Sequence, residues 1–261
     1  MRNAIKKINA AGSGIMISAF AVLLVLGCRS CDTIDSSKLD PSEIYQEYQI
    51  VASENTSANA GFRVSGSTGT TVALVAPSTV EYNGTAMTEH LRTVLGGTYY
   101  SAESNGFVGS HSFVFTDSSG KKFTNSVTFE PITIAVEKID LDKNAKMISI
   151  PVSRGLASGE SITLQLSSDV EPSKRAANTG NSNADFPEGP EYSTDLSGSI
   201  NSDTKMLTIE NVELKKFAAG KAKVNVRISG SKGLAEEGIR GGIISYTIQS
   251  PAVLANVIDR K

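Results

Sequence analysis

Two histidines, two cysteines and a scatter of serines, carboxylates and tyrosines are what this 261-residue chain offers for chemistry. His90 and His111 are the only imidazoles. A structural zinc site draws several Cys or His ligands at close spacing, which this pair cannot supply. Both are expected at the surface or at a strand edge. Ser118-Ser119-Gly120-Lys121 and Ser202-Asp203-Thr204-Lys205 match Ser-x-x-Lys. Both fall in polar turns, whereas that nucleophile motif belongs on a helix. No Gly-x-Ser-x-Gly elbow occurs. Asp140-Leu141-Asp142-Lys143-Asn144 begins like a calcium loop, but Ala145 stands at the sixth position and Pro151 at the twelfth. An EF-hand needs glycine and a bidentate glutamate there, so the pattern excludes one. Asp185, Glu188 and Glu191 are the carboxylates left for a loop cation site. The expectation is no catalytic residue, no metal site and no cofactor.

Binding is the better prospect. Tyrosine packs its flat ring on apolar faces while its hydroxyl stays wet. Tyr99, Tyr100 and Tyr192 are the candidate ligand-binding residues, with Tyr82 a further ring. In a strand Tyr99 and Tyr100 must face opposite sides, so one is expected in the core and the other exposed. Lys215, Lys216, Lys221 and Lys223 form a basic cluster. Lys221 and Lys223 share one strand face, opposite Val224 and Val226. That is the pattern of a solvated face, or of a contact to anionic lipid or polysaccharide.

The amino terminus carries the most specific signal. Arg2, Lys6 and Lys7 precede an apolar run from Ile15 to Leu26, interrupted only by Ser18. Val25-Leu26-Gly27-Cys28 closes it. Twelve residues are too few to span a bilayer, which needs about 20. They suit the apolar region of an export signal. The segment resembles the lipobox signals of bacterial lipoproteins, with Val25 in place of the commoner leucine. That resemblance implies cleavage before Cys28 and lipidation of Cys28 by diacylglycerol and a third acyl chain. Each buried methylene contributes about 0.8 kcal/mol, so several chains anchor a protein stably. By the same resemblance Arg29 points to the outer membrane, since aspartate in that place retains some lipoproteins at the inner one. Asp32-Thr33-Ile34 also resembles an O-glycosylation sequon of Gram-negative envelope proteins. With Cys28 acylated, Cys31 has no partner inside the chain and is open to an intermolecular disulfide, a second acylation or a free thiol, and the fold must rest on packing rather than on disulfides.

Without residues 1–27, which hold three basic and no acidic side chains, 22 basic face 27 acidic residues. A mildly acidic chain is a poor nucleic-acid binder, because phosphate contacts need clustered Lys and Arg. No second apolar run is long enough to span a membrane.

The elements that must position these residues read as β. Residues 28–43 are polar and aperiodic, and are expected to be a flexible tether. Phe62–Ser65, Thr71–Val75 and Thr79–Tyr82 alternate apolar and polar residues, and Asn83-Gly84 is a strong hairpin signal. Ser112–Thr116 and Phe123–Phe129 flank the loop Asp117-Ser118-Ser119-Gly120-Lys121 as a second hairpin. Pro131 punctuates the chain, and further alternating runs follow between 132 and 248. Met87–Val94 and Val212–Ala219 could hold helical turns. Residues 168–194 are rich in Gly, Asn, Pro and Ser, and read as a long mobile insertion between strands. The expected fold is all-β: two tandem β-sandwich domains, 44–131 and 132–261. The arrangement is similar to the tandem immunoglobulin-like domains of bacterial surface lipoproteins, without their buried tryptophan or inter-sheet disulfide. The function expected is that of a non-enzymatic, lipid-anchored envelope lipoprotein for adhesion, scaffolding or protein recognition. The alternative is a glycan- or ligand-binding lipoprotein assisting uptake at the outer membrane. Its partners would then be the membrane through Cys28 and an envelope protein or glycan.

Overall fold

A computed structural model describes residues 33–91, 97–169, 193–210, 214–215, 217, 219–234 and 240–260. Cys28, Cys31, Tyr192 and most of the expected insertion, 170–192, lie outside the described residues. So do Lys216, Asp185, Glu188 and Glu191. Among the described residues no helix is long and apolar enough to cross a membrane.

The fold is all-β. The strands are β1 (Thr33–Asp35), β2 (Ile44–Ala52), β3 (Asn55–Val64), β4 (Thr71–Ala73), β5 (Thr79–Tyr82), β6 (Thr85–Ala86), β7 (Thr88–Leu91), β8 (Thr98–Asn105) and β9 (Ser110–Thr116). They continue with β10 (Lys122–Thr128), β11 (Lys138–Asp142), β12 (Met147–Pro151), β13 (Ser161–Ser168), β14 (Ser193–Asn201) and β15 (Met206–Glu210). The last are β16 (Gly220–Leu234), β17 (Gly242–Gln249) and β18 (Val253–Ile258).

Period-two burial makes these strands. In β2, Ile44, Gln46, Tyr48, Ile50 and Ala52 point inward while their neighbours point out. β3 buries Thr56, Ala58, Ala60 and Phe62 in the same way. A four-stranded sheet, ordered β10-β9-β5-β6, packs on this face. Ring contacts join the two layers: Tyr48 stacks on Phe113 at 4.2 Å, and Phe62 meets Phe115 at 4.9 Å. All four side chains are fully buried, and each such ring contributes roughly 1.5–3 kcal/mol through burial. The β5–β6 hairpin turns at Asn83 and Gly84, whose φ angles of 48° and 79° are those of a two-residue hairpin loop. The second expected hairpin is β9–β10. Its loop is tied by Asp117, whose Oδ1 accepts from the amides of Ser119 (2.8 Å) and Lys121 (2.9 Å).

The larger sheet runs β1-β4-β3-β2-β17-β16-β13-β14-β15-β12, with β8 and β7 beside β3, and β18 and β11 beside β16. The boundary expected at 131/132 is therefore crossed by main-chain bonds. β2 pairs in parallel with β17, from Gln46 opposite Gly242 to Ala52 opposite Ile248. β16 is the long common strand: its first half pairs with β18 and its second with β17. β14 pairs first with β13 and then with β15, which carries the chain toward the layer of β15 and β12. Ile148, Ile150, Leu207 and Ile209 of that layer are buried, as are Leu164, Leu166, Val224 and Val226 of the main sheet.

Two local expectations change. Residues 33–43 belong to the expected tether, yet β1 pairs with β4, Ser36 is buried, and Ser36 Oγ accepts from Val75 N at 2.9 Å. A short polar segment can be ordered by hydrogen bonds alone, without an apolar pattern. Residues 88–91 of the expected helical turn form β7, because Glu89 and His90 pair opposite Tyr100 and Tyr99 of β8. Around Val212–Ala219 the described residues make a turn in which Phe217 N donates to Leu214 O, and both side chains enter the core.

Candidate functional site

The outer face of β2, β3 and β8 gathers polar side chains around one tyrosine. Each strand buries alternate residues, so Glu47 and Gln49, Asn59 and Arg63, and Tyr99 and Ser101 point away from the core. Register sets their order. Gln49 lies opposite Asn59, and Asn59 lies opposite Ser101. Glu47 lies opposite Gly61. The β3–β8 ladder ends at Ala60 opposite Tyr100, and Tyr99, the next residue of β8, lines one groove with Gly61 and Glu47. Tyr99, Gly61, Glu47, Gln49, Asn59 and Arg63 are among the residues that line a groove of about 660 Å³.

The walls are held but not closed. Arg63 Nε donates to Glu47 Oε2 at 3.4 Å, and its Nη1 donates to Gly69 O at 3.4 Å. The two side chains stay 32% and 45% exposed, so the pair is reachable from solvent. Tyr99 is half-buried and stacks on His90 at 4.9 Å with 20° between the rings. His90 is fixed in turn by a 2.8 Å hydrogen bond between its Nε2 and Ser101 Oγ. This edge-strand histidine therefore braces the groove's aromatic wall.

Tyr100 takes the opposite side, as the strand requires. It is buried, packs against Phe62, and its hydroxyl accepts from Leu74 N at 2.7 Å. Burial pushes its hydroxyl up to about 12; the Leu74 bond opposes this and the Glu89 charge adds to it. Tyr100 is a core residue and does not reach the groove. Tyr192 lies outside the described residues.

His111 is not at the surface. It is fully buried on β9, with Nδ1 hydrogen-bonded to Tyr82 Oη at 2.7 Å and its ring stacked on Phe129 at 4.4 Å. Burial lowers its pKa, opposed by a backbone contact at Val108. Phe129 stacks on Tyr246 of β17 at 4.9 Å, and Tyr246 Oη donates to Glu160 Oε1 at 3.3 Å. The Glu160 side chain is 1% exposed and forms a two-point pair with Arg154, Nη1 to Oε2 at 2.7 Å and Nη2 to Oε1 at 3.0 Å. Burial pushes the Glu160 carboxyl up. The Arg154 hydrogen bonds and charge, the Ala157 amide and Tyr246 together outweigh it, so the net shift is downward. Sequence reasoning missed this pair, because nothing in the spacing of Arg154 and Glu160 marks them as buried.

Among the described residues no three His, Cys, Asp or Glu side chains converge as metal ligands. Ser118–Lys121 and Ser202–Lys205 lie in hairpin turns. Lys223 contacts Asp169 at 3.5 Å, and Lys221 is exposed on the same strand face. The concentrated chemistry of the described surface is thus the groove: one carboxylate, one guanidinium, two amides and a braced ring. Neither a family model nor a characterised protein matches this chain.

Proposed function

We propose that this chain is a bacterial envelope lipoprotein, anchored by acyl chains on Cys28, whose folded part binds a ligand without transforming it. The observation that carries the binding is the groove over Gly61. A concave, polar, side-chain-lined trough of about 660 Å³ falls within the roughly 300–1,000 Å³ of ligand sites. Broad adhesion or scaffolding would favour a flat or apolar face instead. Of the two readings of the sequence, the groove therefore favours ligand binding over protein scaffolding. The anchor rests on the basic start, the apolar run and Gly27-Cys28, and Arg29 favours the outer membrane.

Two measurements test it. A fatty-acid probe should label the wild type and not Cys28→Ala; equal labelling would remove the anchor. A photo-cross-linking residue at Gln49, activated in living cells, should give an adduct that the same residue at exposed Lys221 does not. Identical patterns at both positions would remove the recognition site.

A further inference from the structure

Gly61 sits in the middle of a strand, where glycine weakens the sheet and packs nothing. Usually a close neighbour or a left-handed backbone explains such a residue. Neither applies here. A Cβ at Gly61 would meet nothing nearer than Glu47 O at 4.0 Å, and its φ is not among the positive values of the chain. Gly230 and Gly242 are different, since a Cβ there would strike Tyr246 or the Gln46 carbonyl. At Gly61 the effect of glycine is on the open side. It leaves a space between Tyr99 and Glu47 that any side chain would fill.

The lining says what chemistry fits that space. Glu47 and Arg63 cancel in charge, so the groove has no net attraction for a polyanion. Gln49 and Asn59 each present both a donor and an acceptor, as Thr71 and Ser245 also do at the walls. Sugar hydroxyls are donors and acceptors together, and match such a set. Tyr99 supplies the flat apolar face on which the C–H side of a sugar ring packs. A peptide is recognised differently, by adding a strand to an open sheet edge. β3 is an interior strand, bonded to β2 on one side and, on the other, to β8 as far as Ala60 and to β4 at Arg63, so it offers no open edge along most of its length.

We infer that the groove over Gly61 is a binding site for a neutral saccharide, with Tyr99 as stacking platform and Gln49, Asn59, Glu47 and Arg63 as hydroxyl partners. This rests on the recognition reading above and names its ligand class. The test uses the full chain in detergent on an array of maltotriose, cellotriose, xylotriose and chitotriose, beside linear peptides of similar length. At least one saccharide should be retained. Gly61→Val should weaken it roughly tenfold or more, because two methyl groups enter the trough, while the melting temperature does not fall. Tyr99→Ala should weaken it to a similar degree. Should Gly61→Val melt early, the double variant Gln49→Ala/Asn59→Ala, both on the exposed side of paired strands, decides instead. No saccharide bound, or binding unchanged in these variants, overturns the proposal. Peptide binding lost in Gly61→Val reassigns the groove to peptide. A specific Gln49 adduct in cells with an empty array would sink the saccharide and leave recognition standing.

Discussion

Removing the Glu160 carboxylate should be among the most damaging single changes in this protein. Its side chain is 1% exposed, and that of Arg154 only 14%. Glu160 accepts from both Arg154 nitrogens, from Ala157 N at 2.7 Å and from Tyr246 Oη. Glu160→Ala removes the counter-charge of a largely buried guanidinium, which keeps only the Glu130 and Gly155 carbonyls as acceptors, and takes this acceptor from an amide and a phenol. Losing one partner of a buried pair costs about 3–5 kcal/mol, and the residual exposure of Arg154 argues for the lower end, about 3 kcal/mol. At about 2–4 °C per kcal/mol for a chain of this size, Tm should fall by about 6–12 °C. Replacing both partners with apolar residues, Arg154→Met with Glu160→Leu, should cost less than Glu160→Ala alone, since no charge is then stranded. Acid gives a third handle. The folded pKa of Glu160 lies below its ordinary 4.5, so its stabilisation is present above that value and is lost as pH falls through the folded pKa. Wild type should therefore lose stability in acid that the double variant does not. Calorimetric melts at neutral and acid pH read all of this. A Tm drop under about 2 °C for Glu160→Ala, or a double variant worse than the single, would refute the account of this pair as a buried lock.

His111 is held neutral by burial. Its stabilisation is present above its ordinary 6.5 and is lost as pH falls from there toward the lower folded pKa; His111→Phe should flatten the urea midpoint over that window, and an unchanged slope would refute the assignment. Gly230→Ala should destabilise by about 1–3 kcal/mol in denaturant melts, because its Cβ would press into the Tyr246 ring; a neutral result would mean that the ring moves freely. Fragments 33–131 and 132–261 should melt without a cooperative transition when apart and regain one when mixed, since each lacks a neighbour for β2 or β17; sharp separate melts would show two independent folding units.

Alternation was the legible part of this sequence. Phe113 and Phe115, or Val224 and Val226, declare a buried face from spacing alone, and Asn83-Gly84 declares its turn. What spacing cannot carry is who lies beside whom. Tyr99 and Tyr100 were separable into two faces by strand geometry, but Gly61 entered only once β8 was laid against β3. Gln46 occupies a core phase between Ile44 and Tyr48. It is tolerated there because its Oε1 accepts from Tyr48 Oη at 2.7 Å and from Asn125 at 3.3 Å, a partner 79 residues away. His111 likewise sits in a core phase with Phe113 and Phe115, a signal that a polar label concealed. The parallel β2–β17 pairing joins residues about 200 positions apart, and no local pattern encodes it.

The two strand glycines show how one residue type carries opposite information. At Gly230 the absent side chain is replaced by a neighbour: the Tyr246 ring lies over the backbone, in line with Phe129 and His111. That line of rings ends on Arg154 and Glu160, and it couples the four-stranded sheet to the strands that follow residue 132. At Gly61 nothing replaces the side chain, and the space opens to solvent between a braced ring and an ion pair. The first glycine is explained by the fold, since a methyl group there collides. The second is not, since a methyl group there fits and should strengthen the strand. A position at which the fold permits a side chain, and which is bordered by the polar side chains of Glu47, Gln49, Asn59 and Arg63, is where a ligand can supply further contacts. The rigid sheet beneath it, fixed on one face by stacked aromatic rings, keeps the groove in shape before anything binds.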